Sequence, residues 1–105
     1  MGRPFSDKFL RELHASKSEG LGVQLAKICV KSNVPAAYVA VALEVSRITV
    51  YNWFRGGGIR EDKIRTVSTL IDLMNEDFDN GVLPVADNNT AKQYIENLAG
   101  VRIGD

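Results

Sequence analysis

The stretch Pro35-Ala-Ala-Tyr-Val-Ala-Val-Ala-Leu-Glu-Val-Ser-Arg-Ile-Thr-Val-Tyr-Asn-Trp-Phe-Arg55 decides how the rest of this 105-residue chain is read. At 3.6 residues per turn, Val39, Ala40 and Leu43 share one side of a first short helix, and Val50, Trp53 and Phe54 recur at helical spacing on a second. Val45 stands at the corner between them, so the two apolar stripes can close on each other across a tight turn. Ser46 is placed to cap the second helix, and Ala40 is small where two steeply crossing helices must approach.

Small Ala40, apolar Leu43, Val45 and Val50, and aromatic Trp53 stand at the spacing of the helix-turn-helix in phage repressor, Cro and XRE-type regulators. On these residues the stretch resembles that family, over about a fifth of the chain. Many family members carry glycine at the corner, where this chain has Glu44. Glycine accepts a left-handed backbone without steric penalty, so Glu44 either adopts that conformation at a cost or marks a different turn. The resemblance implies an all-α fold, a compact helical domain with a lambda-repressor-like helix-turn-helix followed by a C-terminal helical extension. It also implies sequence-specific binding of double-stranded DNA, a repressor-like role in transcription of the phage or mobile-element kind, and assembly as a symmetric homodimer.

On the second helix the inward side belongs to Val50, Trp53 and Phe54. Ile48, Asn52 and Arg55 therefore point away from the core, flanked by Arg47, Thr49 and Tyr51. Arg47, near the helix start, can fork onto guanine, Asn52 can pair with adenine, and Ile48 suits a thymine methyl. Thr49 suits hydroxyl contacts, while Tyr51 and Arg55 suit phosphates. Together with Ser46, these residues form the expected DNA-binding set. The rival reading is an adaptor in which the same helix pair binds a protein, for example a polymerase subunit. The full set of spacings, with Ser46-Arg-Ile-Thr opening the second helix and Arg55-Gly-Gly-Gly closing it, favours DNA.

Formal net charge is zero, which by itself gives no basic footprint. The distribution is uneven: residues 1–65 hold 11 Lys and Arg against 6 Asp and Glu, while residues 66–105 hold 2 against 7. Such a chain can present a basic end to nucleic acid and an acidic end away from it. The length suits one domain with a modest core and no staples. Cys29, the single cysteine, falls in an apolar helical pattern with Leu25 and Ile28 and reads as a reduced core thiol of a cytoplasmic protein. No apolar run is long enough for a membrane span or suited to a signal peptide, so no membrane partner is expected.

Working outward toward the N-terminus, Lys27 and Lys31 face out from a second helix that runs from about Gly22 through Val23, Leu25, Ile28 and Cys29 to Lys31. They suit phosphate or solvent equally. Ser16 to Gly22 reads as a linker, and Ser6 caps a first helix of about ten residues whose Phe5, Phe9, Leu10 and Leu13 form an apolar clamp over the motif. Ser32-Asn-Val-Pro35 ends the second helix and starts the next.

Toward the C-terminus, Gly56-Gly-Gly58 turns into the longest helix, from Arg60 to about Asp77. Its core stripe is Ile64, Val67, Leu70, Ile71, Met74 and Phe78, and its late acids Glu76 and Asp77 oppose the helix dipole. Asp79-Asn-Gly breaks it, Val82-Leu-Pro-Val is extended, and Asp87 leads into a last helix carrying Ala91, Tyr94, Ile95 and Leu98. Gly100 ends that helix, and the tail from Val101 to Asp105 is expected to fray. Residues 1–80 are read as the DNA-binding domain. Residues 81–105 are read as an extension that packs on the same domain or, through Val82, Leu83, Val85, Tyr94, Ile95 and Leu98, on a second copy.

His14 has no ligand partner at metal spacing, the glycine run follows a helix and lacks the Gly-Lys-Ser or Gly-Lys-Thr ending of a phosphate loop, and no nucleophile–base pair is visible. No enzyme activity, metal, cofactor or small-molecule ligand is expected.

Overall fold

Ser6 starts the first helix, its Oγ accepting the Phe9 N–H at 3.1 Å, and five more helices follow in the computed structural model, which describes residues 5–15 and 20–104. They are α1 (Asp7–Ala15), α2 (Leu21–Ser32), α3 (Ala36–Leu43), α4 (Arg47–Phe54), α5 (Glu61–Asp79) and α6 (Asn88–Ala99). No strand occurs among the described residues, so the class is all-α. The linker residues 16–19, Asp105, and the side chains of Glu12, Leu13 and His14 lie outside the described residues.

Helices α2 to α5 stop for a shared reason. Asn33, Glu44, Gly56 and Gly81 all have positive φ, which folds the chain back on the helix that has just ended. The Asn33 N–H donates to the Val30 carbonyl and the Val34 N–H to that of Cys29; Glu44 and Val45 do the same to Val41 and Ala40. Each closure satisfies carbonyls that the end of a helix would otherwise leave bare.

The core brings all six helices together around Leu25, Ile28, Val39, Leu43, Val50, Trp53, Val67, Met74 and Ile95. Each such side chain contributes about 1.5–3 kcal/mol on full burial. The α2 helix packs on α1, α4 and α5, and α3 packs on α4, α5 and α6. Gly22 permits the approach of α2 to α4: a Cβ on it would lie 2.2 Å from the Trp53 carbonyl oxygen. The second helix, expected from about Gly22, begins one residue earlier at Leu21, so this glycine lies inside α2 where two backbones touch. Cys29 is buried, and burial pushes its thiol pKa up, so the group stays protonated.

Val67, Leu70, Ile71 and Met74 are buried as the stripe on α5 predicts, with Phe78 half-buried at its end. Ile64 departs from it and is 44% exposed. It lines an open recess with Leu21, Ile59 and five glycines, Gly20, Gly22 and Gly56–Gly58, whose missing side chains leave it partly uncovered.

Residues 81–104 complete the core of the same domain. Leu83, Val85, Ala91, Ile95 and Ile103 are buried, whereas Val82 is 55% exposed. Val85 is held through both sides of its own residue: its N–H donates to the Ser32 carbonyl at 3.1 Å and its carbonyl accepts from Asn33 Nδ2 at 3.1 Å. Asp87 caps α6 by accepting the Thr90 N–H at 2.8 Å, and this bond holds its carboxyl below the usual range. The Tyr94 hydroxyl donates to Asp77 at 2.6 Å, tying α6 to the end of α5. Burial, then this bond to a carboxylate, pushes the Tyr94 pKa up. The tail does not fray as expected, because Ile103 is buried and its N–H donates to the Glu96 carboxylate at 2.8 Å. Most of the apolar residues that suggested a second copy are thus covered by their own chain.

Two outcomes follow. A chain ending at Gly81 lacks the buried side chains of Leu83, Val85, Ala91, Ile95 and Ile103 and is expected to be unfolded by circular dichroism; a cooperative melt near that of the full chain would contradict this packing. Gly22→Ala forces α2 from α4 and is expected to cost at least about 1–3 kcal/mol, the usual range for overpacking, seen as a lower Tm. An unchanged Tm would mean that the two helices are further apart.

Candidate nucleic-acid interface

The α4 helix divides into a buried and an exposed side. Val50, Trp53 and Phe54 are buried, while Arg47, Ile48, Asn52 and Arg55 are exposed. Ile48 is 73% exposed, the largest value among the exposed large hydrophobic side chains described. Ile48, Asn52 and Arg55 make one ridge because they lie within about 60° of one another around a helix axis at 100° per residue.

Thr49 and Tyr51, on the two flanks, are half-buried and differ in what holds them. Ser46 caps the helix by accepting the Thr49 N–H at 3.1 Å, and the two hydroxyls hydrogen-bond at 2.9 Å. Both are engaged in starting the helix. The Tyr51 ring packs edge-on against Phe9 at 5.9 Å and against Phe54 at 5.8 Å, which leaves its hydroxyl end as the part that could reach a partner. The seven residues read from the sequence therefore separate into an exposed ridge with Arg47 at its start, a capping pair, and a packed tyrosine.

Beside the ridge runs an open groove of about 880 Å³, lined among others by Glu44, Thr49, Asn52, Arg55, Arg60 and Lys63. Arg60 and Lys63 were not singled out by the sequence, since both lie beyond the glycine run. Arg60 Nε lies 3.5 Å from the Asp62 carboxylate on a highly exposed surface, a pairing worth little in water. Lys63 Nζ donates to the Leu43 carbonyl at 2.9 Å. It sets a cation at the C-terminal end of α3, where the helix dipole favours one. No spacing rule connects Lys63 to Leu43, so only the folded chain reveals the contact.

The turn between α3 and α4 is Glu44–Ser46, and Glu44 takes φ 58° and ψ 43°. The first of the two alternatives at this corner is therefore the one adopted: a glutamate in the left-handed region. Lys31, read as suited to phosphate or solvent, has its ammonium 4.4 Å from the centre of the Phe78 ring, between α2 and α5. Among the described residues no three His, Cys, Asp or Glu side chains converge as metal ligands, and no helix is long and apolar enough to cross a membrane.

Comparison with protein-family models, with curated proteins and with solved structures gives no match.

Glu44 supplies a direct test of the corner. A non-glycine residue in the left-handed region costs about 1–2 kcal/mol, and glycine gives back about 0.5–1 kcal/mol through the freedom of the unfolded chain. Glu44→Gly is expected to raise stability by up to about 1.5 kcal/mol, the largest difference those two ranges allow, in a denaturant melt. A destabilised variant would mean that the Glu44 side chain contributes more than its backbone costs.

Proposed function

We propose that this chain binds double-stranded DNA sequence-specifically, as a helix-turn-helix regulator of transcription in which α4 is the reading helix. The observation that carries the reading is the exposed ridge of α4, where a bare isoleucine stands beside an asparagine and two arginines. A single exposed apolar residue is ordinary on a protein surface. Ile48 gains meaning from its company, because arginine, asparagine and a methyl-bearing side chain answer guanine, adenine and thymine in the major groove.

Arg47 and Asn52 are assigned to base edges, Ile48 to a thymine methyl and Arg55 to phosphate. Ser46 and Thr49 hold the first turn and reach DNA only from the cap they form. Tyr51 contributes through its hydroxyl. The uneven charge supports the same reading, since the cations of α4 lie in the part of the chain with a positive balance. A second reading, distinct from an adaptor that binds through the helix pair itself, draws on a different surface: an apolar recess of about 370 Å³ between α3, α5 and α6, with Leu70, Leu73 and Leu98 on its walls. It predicts binding to a protein through that recess and indifference to changes on α4.

Selection of bound sequences from a random duplex pool with the full chain tests the proposal. Enrichment of a defined site is expected, and failure to enrich any sequence would overturn it. On the selected site Arg47→Ala and Asn52→Ala are each expected to cost about 1–3 kcal/mol of binding and to relax preference at one base pair, with the melting curve unchanged. Parental affinity in both variants would remove α4 from the reading role.

A further inference from the structure

Where α3, α5 and α6 meet, they leave a recess of about 370 Å³, within the range of about 300–1,000 Å³ typical of small-molecule sites. Two of its wall residues are small, Ala42 near the end of α3 and Ala99 at the end of α6, and their size keeps it open. Leu43 and Leu70 are buried beneath the surface, Leu98 is half-buried, and Leu73 is 39% exposed. The polar groups are confined to the α5 wall. At 100° per residue, Arg65, Thr69, Leu73, Thr66 and Leu70 follow one another round an arc of about 140°, with exposed Arg65 at one edge and buried Leu70 at the other. Among the described residues no carboxylate lines the recess or pairs with Arg65.

We propose that this recess binds a small amphipathic carboxylate of the medium-chain fatty acid kind, its hydrocarbon tail against Leu73 and Leu98 and its head on Arg65. The tail removes from water the leucine surface that the chain itself leaves uncovered, which contributes about 25 cal/mol per Å² of apolar area. The head meets an unpaired guanidinium, whose planar fork matches a carboxylate in two parallel hydrogen bonds. The Thr66 and Thr69 hydroxyls stand on the same wall as further donors. An uncharged ligand leaves Arg65 unused, and an ammonium is repelled by it. The size of the recess favours a small molecule over a peptide helix: its volume is that of a cube about 7 Å on a side, whereas a helix is about 10–12 Å across and rides over such an opening. No small-molecule ligand is expected from the sequence, because Ala42, Arg65 and Leu98 stand on three helices and no spacing rule connects them. The inference does not rest on α4 being a reading helix.

The test is an NMR titration of the full chain with octanoate, 1-octanol and octylammonium, following the backbone amide signals. Octanoate is expected to shift the signals of Ala42, Thr66, Thr69 and Leu98 saturably and to bind about threefold more tightly than 1-octanol, the scale of an exposed ion pair. Octylammonium is expected to bind more weakly than either. Arg65→Gln is expected to bring octanoate to the affinity of 1-octanol, and Leu73→Asp, at an exposed position, to abolish the shifts with both, each variant keeping the parent's circular dichroism spectrum. Absence of saturable shifts with octanoate, or shifts centred elsewhere, would overturn the proposal and leave the recess to a protein partner. Equal affinity of octanoate for the parent and for Arg65→Gln would overturn it by removing the head from Arg65. Parental binding by Leu73→Asp would overturn it by removing the tail from the leucines.

Discussion

The contact on which the rest of the molecule depends is the meeting of two backbones at Gly22 and Trp53. A side chain at Gly22 would begin 2.2 Å from the Trp53 carbonyl oxygen, so α2 and α4 approach there closely enough to admit only glycine. That approach leaves Val50, Trp53 and Phe54 no option but the interior. Their burial then fixes the rotation of α4 about its own axis and turns Ile48, Asn52 and Arg55 outward. The direction of the exposed ridge is thus set by a glycine on another helix.

Once α4 is seated, its ends are held by separate devices. Ser46 supplies the first turn with a hydrogen-bond acceptor, and the chain leaves the last turn through Gly56 at φ 94°, its N–H donating to the Trp53 carbonyl. Lys63 reaches from α5 to the Leu43 carbonyl and fastens the end of α3 just before the corner. At the far end of α5, Glu76 and Asp77 sit where the helix dipole disfavours acids. Asp77 is used there as the acceptor for the Tyr94 hydroxyl, so the misplaced charge anchors α6. An unfavourable local choice is offset by a contact that the sequence separates by 17 residues.

What was legible in the sequence is what depends on neighbours three or four residues away. The stripes of α2, α3, α4 and most of α5, the caps at Ser6 and Ser46, and the all-α class follow from periodicity and from side chains able to cap. What depends on distant approach was not legible. Gly22 reads as the joint between a linker and the second helix, because nothing in its surroundings reveals that Trp53 will lie against it. Ile64 continues the stripe of α5 in register, yet the surface opposing it at that turn is an open recess in which five glycines stand with Leu21 and Ile59. The apolar faces of residues 81–104 were visible, but a pattern names a face without naming what covers it, and the cover proved to be the same chain. Within the candidate site the ridge of Ile48, Asn52 and Arg55 was readable from helix phase alone, whereas the Tyr51 ring was claimed by Phe9 from a helix distant in sequence.

Core and surface roles are kept apart along α4. The buried residues belong to the crossing with α2 and α3, and a change at any of them alters packing that six helices share. Arg47, Ile48, Asn52 and Arg55 are exposed. Substitutions at exposed positions away from caps and special backbone angles usually change stability by less than about 0.5 kcal/mol. The chemistry presented by the ridge can therefore vary while the frame that aims it stays the same. The corner at Glu44 is the exception, because a change there alters both the backbone that joins the helices and the rim of the groove beside them. Any retuning of this face that preserves the fold is thus directed to the exposed positions of α4 and away from the turn that precedes it.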